Sequence, residues 1–324
     1  MRRFAILVSC GCVGASASAC CAVGTVADDI RFANQRNIII WDPATKTEHF
    51  IRRARFSTGE SEFGFIAPTP TVPELGEAKE EAFEVGPLAI NAYHAALRNA
   101  ELLPRISCSK SEDLAAAGEA KGVEILQEQD VSGYRATTLR ARDANAFRNW
   151  LAKHKFVTDD SIETWIQFYV KKDWVFTAFI VKGDGEAAAT IPVRMSFKTD
   201  RPFAPFYVPK VNQSEAGGGL AVHFYGPGAY KSNIEGATYP LQTSSINALR
   251  LHTGVSDVPK NLALTTFGTG DFPSRTAKDD LYFDRSGDAP RWPVNYNPAK
   301  PYVAGAIVGL VAYRAIRRRR TPKI

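Results

Sequence analysis

Residues 38–51 read Ile-Ile-Ile-Trp-Asp-Pro-Ala-Thr-Lys-Thr-Glu-His-Phe-Ile, and this stretch indicates how the fold begins. Both of its ends, Ile38–Trp41 and Thr47–Ile51, are rich in the β-branched and aromatic residues that favour strands. Between them, Asp42–Thr45 contains the aspartate and proline typical of a tight turn. The stretch therefore predicts a β-hairpin near the start of the folded body.

Similar patterns continue along the chain. Residues 193–198 alternate between apolar and polar side chains, which predicts a strand with one buried face. Residues 63–67, 175–181 and 220–225 also have strand composition. Asp143 and Asp160 are the predicted caps of two amphipathic helices, and Gly86-Pro87 is predicted to break a helix over residues 77–99. The order of these segments predicts an α+β fold with mainly antiparallel sheets and several amphipathic helices.

The net charge of +6 is concentrated at the two ends of the 324-residue chain. Residues 1–27 carry +2 and residues 301–324 carry +6, so the body between them, 28–300, carries −2. A body of that charge lacks the cationic surface that binds phosphate backbones. We therefore expect no nucleic-acid partner.

The N-terminal residues have the order of a secretory signal peptide. Arg2-Arg3 is followed by an apolar run and then by small residues ending at Ala19, which predicts a signal peptide over 1–19. Cleavage there would make Cys20 the first residue of the mature chain. Ala17-Ser18-Ala19-Cys20 also partly resembles the bacterial lipobox, so lipidation of Cys20 remains an alternative.

Cysteines of an exported protein tend to oxidise, and three remain after cleavage: Cys20, Cys21 and Cys108. We expect Cys20 or Cys21 to form a disulfide with Cys108, which would attach the mature N-terminus to the body. The alternative is a buried, unreactive Cys108.

The C-terminus resembles a membrane anchor. Residues 301–313 are uncharged and would cover roughly 20 Å as a helix, which is short for a bilayer, but Lys300 and Arg314 can snorkel. Arg317, Arg318, Arg319 and Arg320 follow, and such a cluster predicts a cytoplasmic tail. We expect a single-pass protein of the cell membrane whose body is extracytoplasmic, in the periplasm or on the cell surface. The alternative is a soluble helix with a solvated basic end.

These segments divide the chain into six parts. After the signal peptide we expect an α+β domain over 20–210 and a second β-rich part of the body over 220–290, with Gly217-Gly218-Gly219 as the boundary. A proline-rich linker over 291–301, a transmembrane segment over 302–316 and a basic tail over 317–324 complete the chain.

Several stretches together resemble a family of exported bacterial proteins known only as a domain of unknown function. The resemblance covers most of residues 20–210 and implies export and a single fold, but no activity. Its stretches are Ala19-Cys20-Cys21-Ala22, Trp41-Asp42-Pro43 with Thr47–Phe50, Phe63–Pro70, Asp143–Lys153, Trp174-Val175-Phe176 and Pro192–Phe197.

Motifs that carry chemistry are sparse in this sequence. The five histidines are spread along the chain without metal-ligand spacing, and Asp279, Asp280 and Asp284 lack the pattern of a calcium loop, so we expect a solvated acidic turn, no metal and no cofactor. His49 is the catalytic candidate, but Glu48 and His49 would face opposite sides of a strand.

Aromatic residues are dense between 165 and 207, and they favour either a core or a groove for a glycan or peptide. The favoured interpretation is a non-enzymatic, membrane-anchored envelope protein that binds a protein, peptide or glycan or supports an envelope structure. The alternative is an exported hydrolase whose site is assembled only in three dimensions. A pocket with His49 or His223 beside a carboxylate would favour the enzyme. The aromatic residues concerned are Trp165, Phe168, Tyr169, Trp174, Phe176, Phe179, Phe203, Phe206 and Tyr207.

Overall fold

A computed structural model describes residues 21–24, 31–57, 62–100, 125–141, 143–182, 191–212, 220–269 and 279–293. These residues form an α+β fold, as the sequence predicts. The strands are β1 (Cys21–Gly24), β2 (Arg31–Asp42), β3 (Thr47–Ser57), β4 (Glu62–Thr69), β5 (Glu74–Glu77), β6 (Ile125–Val131), β7 (Tyr134–Leu139), β8 (Val175–Lys182), β9 (Val193–Lys198), β10 (Phe203–Ala204), β11 (Leu220–Gly226), β12 (Ala229–Lys231), β13 (Gly236–Pro240), β14 (Ala263–Thr269), β15 (Leu281–Tyr282) and β16 (Asp284–Gly287).

The described helices are α1 (Ala82–Ala100), α2 (Ala144–Lys153), α3 (Asp160–Val170) and α4 (Thr243–Thr253). Asp143 caps α2 as predicted, because its Oδ1 accepts a hydrogen bond of 2.7 Å from the Ala146 N–H. The predicted cap of α3 was wrong by one residue, since Asp159 accepts the bond from the Ile162 N–H instead. Because Asp159 is the cap, Asp160 lies inside the first turn of the helix.

The predicted break at Gly86-Pro87 does not occur. Helix α1 runs through Pro87, and the preceding residues 74–77 form strand β5 rather than helix. Gly86 has a different role, because a Cβ there would lie 2.7 Å from the His223 Nδ1. The glycine thus allows the first turns of α1 to approach strand β11 closely.

The strands form two large sheets. A five-stranded sheet has the order β1-β4-β8-β7-β6 and is antiparallel throughout. A seven-stranded sheet has the order β13-β14-β11-β2-β3-β9-β5, in which β11 and β2 are parallel and the other pairs are antiparallel. The predicted hairpin is β2 and β3, paired from Arg31↔Ser57 to Asp42↔Thr47. Two-stranded ribbons are formed by β10 with β15 and by β12 with β16.

Two apolar cores follow from the alternation of side chains along the strands. One core contains residues of both large sheets, including Ile39, Phe50, Phe65, Phe179 and Phe224. The opposite face of the five-stranded sheet packs on α2 and α3 through residues such as Ile66, Phe147, Trp165 and Phe176. The five-stranded sheet is therefore covered on both faces.

The chain divides into two compact units. The larger comprises residues 1–89 and 111–290, and the smaller comprises residues 90–110 and 291–324. Strands from both of the predicted parts, 20–210 and 220–290, lie in the larger unit, where β11 hydrogen-bonds to β2. In the smaller unit the rings of Tyr93 and Trp292 meet edge to face at 5.8 Å. Gly217–Gly219 lie outside the described residues.

Candidate functional site

His49, the catalytic candidate of the sequence, lies on β3 directly opposite Ser196 of β9. Its Nδ1 is 2.8 Å from the Ser196 Oγ. Burial and, to a smaller extent, the Arg194 guanidinium lower the pKa of His49 to about 4, although the carboxylates of Asp42 and Asp257 oppose this change. The imidazole is therefore neutral near pH 7 and shares one hydrogen bond with the serine hydroxyl.

Glu48 points to the opposite face of β3, as the strand geometry predicts. Its side chain is fully buried, and its Oε2 accepts a hydrogen bond of 2.9 Å from the Phe203 N–H. Its Oε1 has no hydrogen-bond partner among the described residues. Burial raises the pKa of this carboxyl well above its usual value, and the bond from Phe203 opposes the change only in part.

His223 lies on the same face of the seven-stranded sheet as His49, but strand β2 separates them. Burial and, to a smaller extent, the positive charge of Arg36 lower the pKa of His223 to about 4. The hydroxyl of the neighbouring Tyr225 is buried without a hydrogen-bond partner in the described part of the chain. Since one intervening strand places the two histidines about 10 Å apart, they do not form one site.

The dense aromatic residues divide into a core set and a half-exposed set. Trp165, Tyr169, Phe176, Phe179, Phe203 and Phe206 are buried, as the core interpretation predicts. Phe168, Trp174 and Tyr207 are half-buried, and Tyr282 joins them from β15. We call Phe168, Lys172, Trp174, Tyr207 and Tyr282 the aromatic cluster.

Lys172 is the centre of this cluster. Its Nζ lies 4.0 Å from the ring centroid of Phe168 and 5.0 Å from that of Trp174, distances at which a cation is attracted to an aromatic ring. The same ammonium donates to the Tyr282 hydroxyl at 3.2 Å. The Tyr207 and Phe168 rings meet edge to face at 4.9 Å. The aromatic cluster is therefore a half-exposed surface that combines aromatic rings with hydrogen-bonding groups.

The prediction of a solvated acidic turn at residues 279–284 was wrong for Asp280. Its side chain is fully buried and accepts hydrogen bonds from the Tyr169 hydroxyl at 2.6 Å, the Phe206 N–H at 3.1 Å and the Lys172 Nζ at 3.1 Å. Burial raises the pKa of Asp280, while Lys172 lowers it in part. Asp279 binds the same lysine.

Asp284 pairs instead with Arg201 at 2.6 Å. No three metal-ligating side chains come together within the described ranges. The three aspartates are therefore parts of ion pairs rather than of a common cation site.

Sequence reasoning missed Ser196 and Lys172, and it named Asp280 but placed it in a solvated turn. Ser196 lies between Arg194 and Lys198 on one face of β9, which is only a weak signal of a functional residue. Its pairing with His49 depends on the register between β3 and β9. Lys172 and Asp280 are 108 residues apart in the chain, so nothing local relates them.

The predicted features of the two ends are mostly outside the described residues. This holds for the signal peptide, Cys20 with its lipidation, Cys108, the segment 302–316 and Arg317–Arg320. Cys21 is buried in β1, and no disulfide is seen among the described residues, so the predicted disulfide stays a prediction. None of the described helices is long and apolar enough to span a membrane.

Comparisons with known proteins give one family. DUF2330, described as an uncharacterized protein conserved in bacteria, matches residues 14–239. No curated protein matches the chain. Among solved structures, the crystal structure of baculovirus P35 shows 9% sequence identity over 66% of this chain and 76% of its own, with a TM-score of 0.34. That score is too low to support an argument about this chain.

Proposed function

The chain belongs to the DUF2330 family of bacterial proteins, and on that premise we propose that it is an exported protein of the cell envelope, anchored by its C-terminal segment, whose body binds a partner without enzymatic activity. The observation that carries the binding proposal is the aromatic cluster. Half-exposed rings beside an ammonium and a phenol hydroxyl suit partners with mixed apolar and polar surfaces, such as peptides and glycans.

The use of the buried acids supports a binding rather than a catalytic role. Glu48 and Asp280 each accept a backbone N–H, from Phe203 and Phe206, and Asp280 also holds Lys172. Groups engaged in this way stabilise the segment that carries them and are not presented to a substrate.

Membrane anchoring and export rest on the sequence of the two ends. We expect the body to be extracytoplasmic and the basic tail to be cytoplasmic. Protease treatment of spheroplasts tests this topology, because the body should be digested while a tag placed after Ile324 stays protected. Protection of the body with loss of the tag would contradict the proposed orientation.

Binding is tested with the aromatic cluster itself. We expect peptidoglycan fragments or envelope peptides to bind the full chain and to bind Tyr207→Ala at least about tenfold more weakly, because the substitution removes one half-exposed ring. Trp150→Ala is the matched control, since Trp150 is also half-buried but its ring contacts are to Phe147 and His154, which are not members of the cluster. Equal binding by both variants, or no binding by the full chain, would contradict the proposal.

A second candidate function, an exported hydrolase, is favoured by one observation. The Ser196 Oγ and the His49 Nδ1 form a hydrogen bond, and the carboxylates of Asp42 and Asp257 act on the same imidazole. A serine paired with a neutral imidazole is the arrangement that activates a nucleophile. Labelling by a fluorophosphonate that disappears in Ser196→Ala would favour this candidate, and an unlabelled wild-type chain would exclude it as a serine hydrolase.

A further inference from the structure

Lys172 and Asp280 form an ion pair that is shielded from most of the solvent. The Lys172 Nζ is 3.1 Å from the Asp280 Oδ2, and the side chain of Asp280 is fully buried while that of Lys172 is 25% exposed. The ring centroids of Phe168, Trp174 and Tyr169 lie 4.0, 5.0 and 5.5 Å from the same Nζ. An amine and a carboxyl group are therefore held together among aromatic rings.

The two oxygens of the Asp280 carboxyl group have different partners. Oδ1 accepts hydrogen bonds from the Tyr169 hydroxyl at 2.6 Å and from the Phe206 N–H at 3.1 Å, whereas Oδ2 faces the Lys172 Nζ. Two donors on one oxygen stabilise the negative charge that develops there when a nucleophile attacks the carbon. Oδ1 is thus placed as an oxyanion, and Oδ2 as the leaving group.

A second carboxylate contacts the same lysine. The Asp279 Oδ1 is 3.1 Å from the Lys172 Nζ, and it also accepts the Asp280 N–H at 2.8 Å, which fixes its position. The side chain of Asp279 is 62% exposed and can exchange protons with water. The lysine nitrogen therefore has a proton acceptor that is separate from the carboxyl group beside it.

The resting pair is ionic. Burial lowers the pKa of Lys172, but Asp280 and the Tyr282 hydroxyl outweigh this effect and the pKa is raised overall. Burial also raises the pKa of Asp280, which Lys172 opposes in part. Transfer of one proton from the ammonium to the carboxylates removes both buried charges at once and leaves an amine, which is a nucleophile.

We propose that Lys172 and Asp280 condense to an intramolecular amide. Cγ is bonded to Oδ2, so a small movement of the lysine side chain brings Nζ to the distance of about 3–3.5 Å from Cγ at which an amine attacks. Asp279 accepts a proton from Nζ, and the nitrogen lone pair forms the bond to Cγ while Tyr169 and Phe206 hold the charge on Oδ1.

The second half of the reaction releases water. Two of the three ammonium protons of Lys172 end on Oδ2, relayed by Asp279, and the bond from Cγ to Oδ2 breaks as this oxygen leaves as water. No oxidant or other reactant is consumed. The product joins the turn after α3 to the start of β15 by a covalent bond across 108 residues. It removes the charge at the centre of the aromatic cluster but leaves the rings, and it does not depend on any bound partner.

Peptide mapping of the purified full chain tests the proposal, because an amide survives denaturation and an ion pair does not. Trypsin would release residues 172–182 and 279–285 as separate peptides from an unlinked chain. We expect most of the wild-type protein to give one branched species, lighter than the two peptides together by one water, with fragment ions that place the bond between Lys172 and Asp280. Separate peptides only, or a loss of water within peptide 279–285 alone, would overturn the proposal.

Variants and a second ion pair provide the controls. Lys172→Arg keeps the positive charge beside Asp280 and should give no linked peptide. Tyr169→Phe removes one donor to Oδ1, and Asp279→Asn keeps an oxygen near Nζ that cannot take its proton, so each should lower the rate of linkage after synthesis at least about tenfold. Unchanged rates in both variants would contradict the proposed mechanism.

The matched pair within the wild-type chain is Lys46 with Asp200. Their Nζ and Oδ1 atoms are only 2.7 Å apart, but both side chains are exposed. We expect these two residues to stay unlinked in the same digest. Linkage of this pair to the same extent as Lys172 with Asp280 would show that the buried arrangement is not what drives the reaction.

Discussion

Asp280 shows how a single buried charge can join several elements of the fold. Its carboxylate holds the Tyr169 hydroxyl, the Phe206 N–H and the Lys172 ammonium. Removing it deletes the buried acceptor of the Tyr169 hydroxyl and of the Phe206 N–H, and one of the two carboxylates that pair with Lys172. We expect Asp280→Ala to lower the free energy of unfolding by about 3–5 kcal/mol, measured by urea denaturation.

The matched control for Asp280 is Asp284, which pairs with Arg201 at the surface. Exposed ion pairs contribute little, so Asp284→Ala should change the free energy of unfolding by less than about 1 kcal/mol. A similar decrease in the free energy of unfolding of both variants would mean that burial does not determine how much these aspartates contribute to stability.

The sequence predicts the directions of single side chains better than their partners. That Glu48 and His49 face opposite sides of β3 follows from the alternation of a strand, and the structure has this geometry. That His49 meets Ser196, or that Asp280 meets Lys172, depends on the order and register of strands far apart in the chain. No local pattern contains that information.

Helix α1 carries a prediction at the scale of the element. Alanine has a higher helix propensity than glycine, by about 1 kcal/mol, so Gly86→Ala would stabilise an isolated helix. In the folded protein its Cβ would meet the ring of His223 at 2.7 Å and the Tyr225 hydroxyl at 3.1 Å. We expect the crowding to outweigh the propensity and to lower stability by about 1–3 kcal/mol.

Thermal denaturation of Gly86→Ala beside Gly287→Ala provides the comparison. A Cβ at Gly287 would meet nothing within 4 Å, so that variant should melt near the wild-type temperature. An unchanged or raised melting temperature for Gly86→Ala would show that α1 can move away from β11 at little cost.

Elements were predictable where hydrophobic period and capping agreed. The β2–β3 hairpin, the alternating strand β9 and the start of α2 follow from local patterns. The continuous helix through Gly86-Pro87 does not, because its stability comes from packing rather than from propensity. Glycine and proline are local signals for a break in a helix. Only the tertiary contacts show that α1 continues through both residues.

For the whole molecule, the two half-buried histidines predict that stability depends on pH in the acid range. His49 and His223 each have a pKa of about 4 when folded, below the usual 6.5, so the unfolded chain binds protons first as pH falls. Stability is therefore complete above pH 6.5 and is lost as pH falls toward 4, by up to about 3 kcal/mol for each histidine.

Glu48 and Asp280 act in the opposite direction, since a raised pKa favours the folded state at lower pH. Variants isolate the histidine contribution: the free energy of unfolding of His49→Gln and of His223→Asn should vary less with pH between about 6.5 and about 4 than that of the wild type. Identical slopes for the wild type and both variants would contradict the assignment.

The parallel pairing of β11 with β2 has a consequence for how the chain reaches its native state. Residues 220–225 pair with the strand formed by residues 35–40, so more than two-thirds of the chain must be synthesised before that strand gains its second partner. Such a high contact order makes folding slow. A chain ending at Asn212 would leave Ile38, Ile39 and Ile40 on an open sheet edge, and we expect it to aggregate. Until residues 220–225 are added, the β2 edge of the seven-stranded sheet stays without its parallel partner on the growing chain.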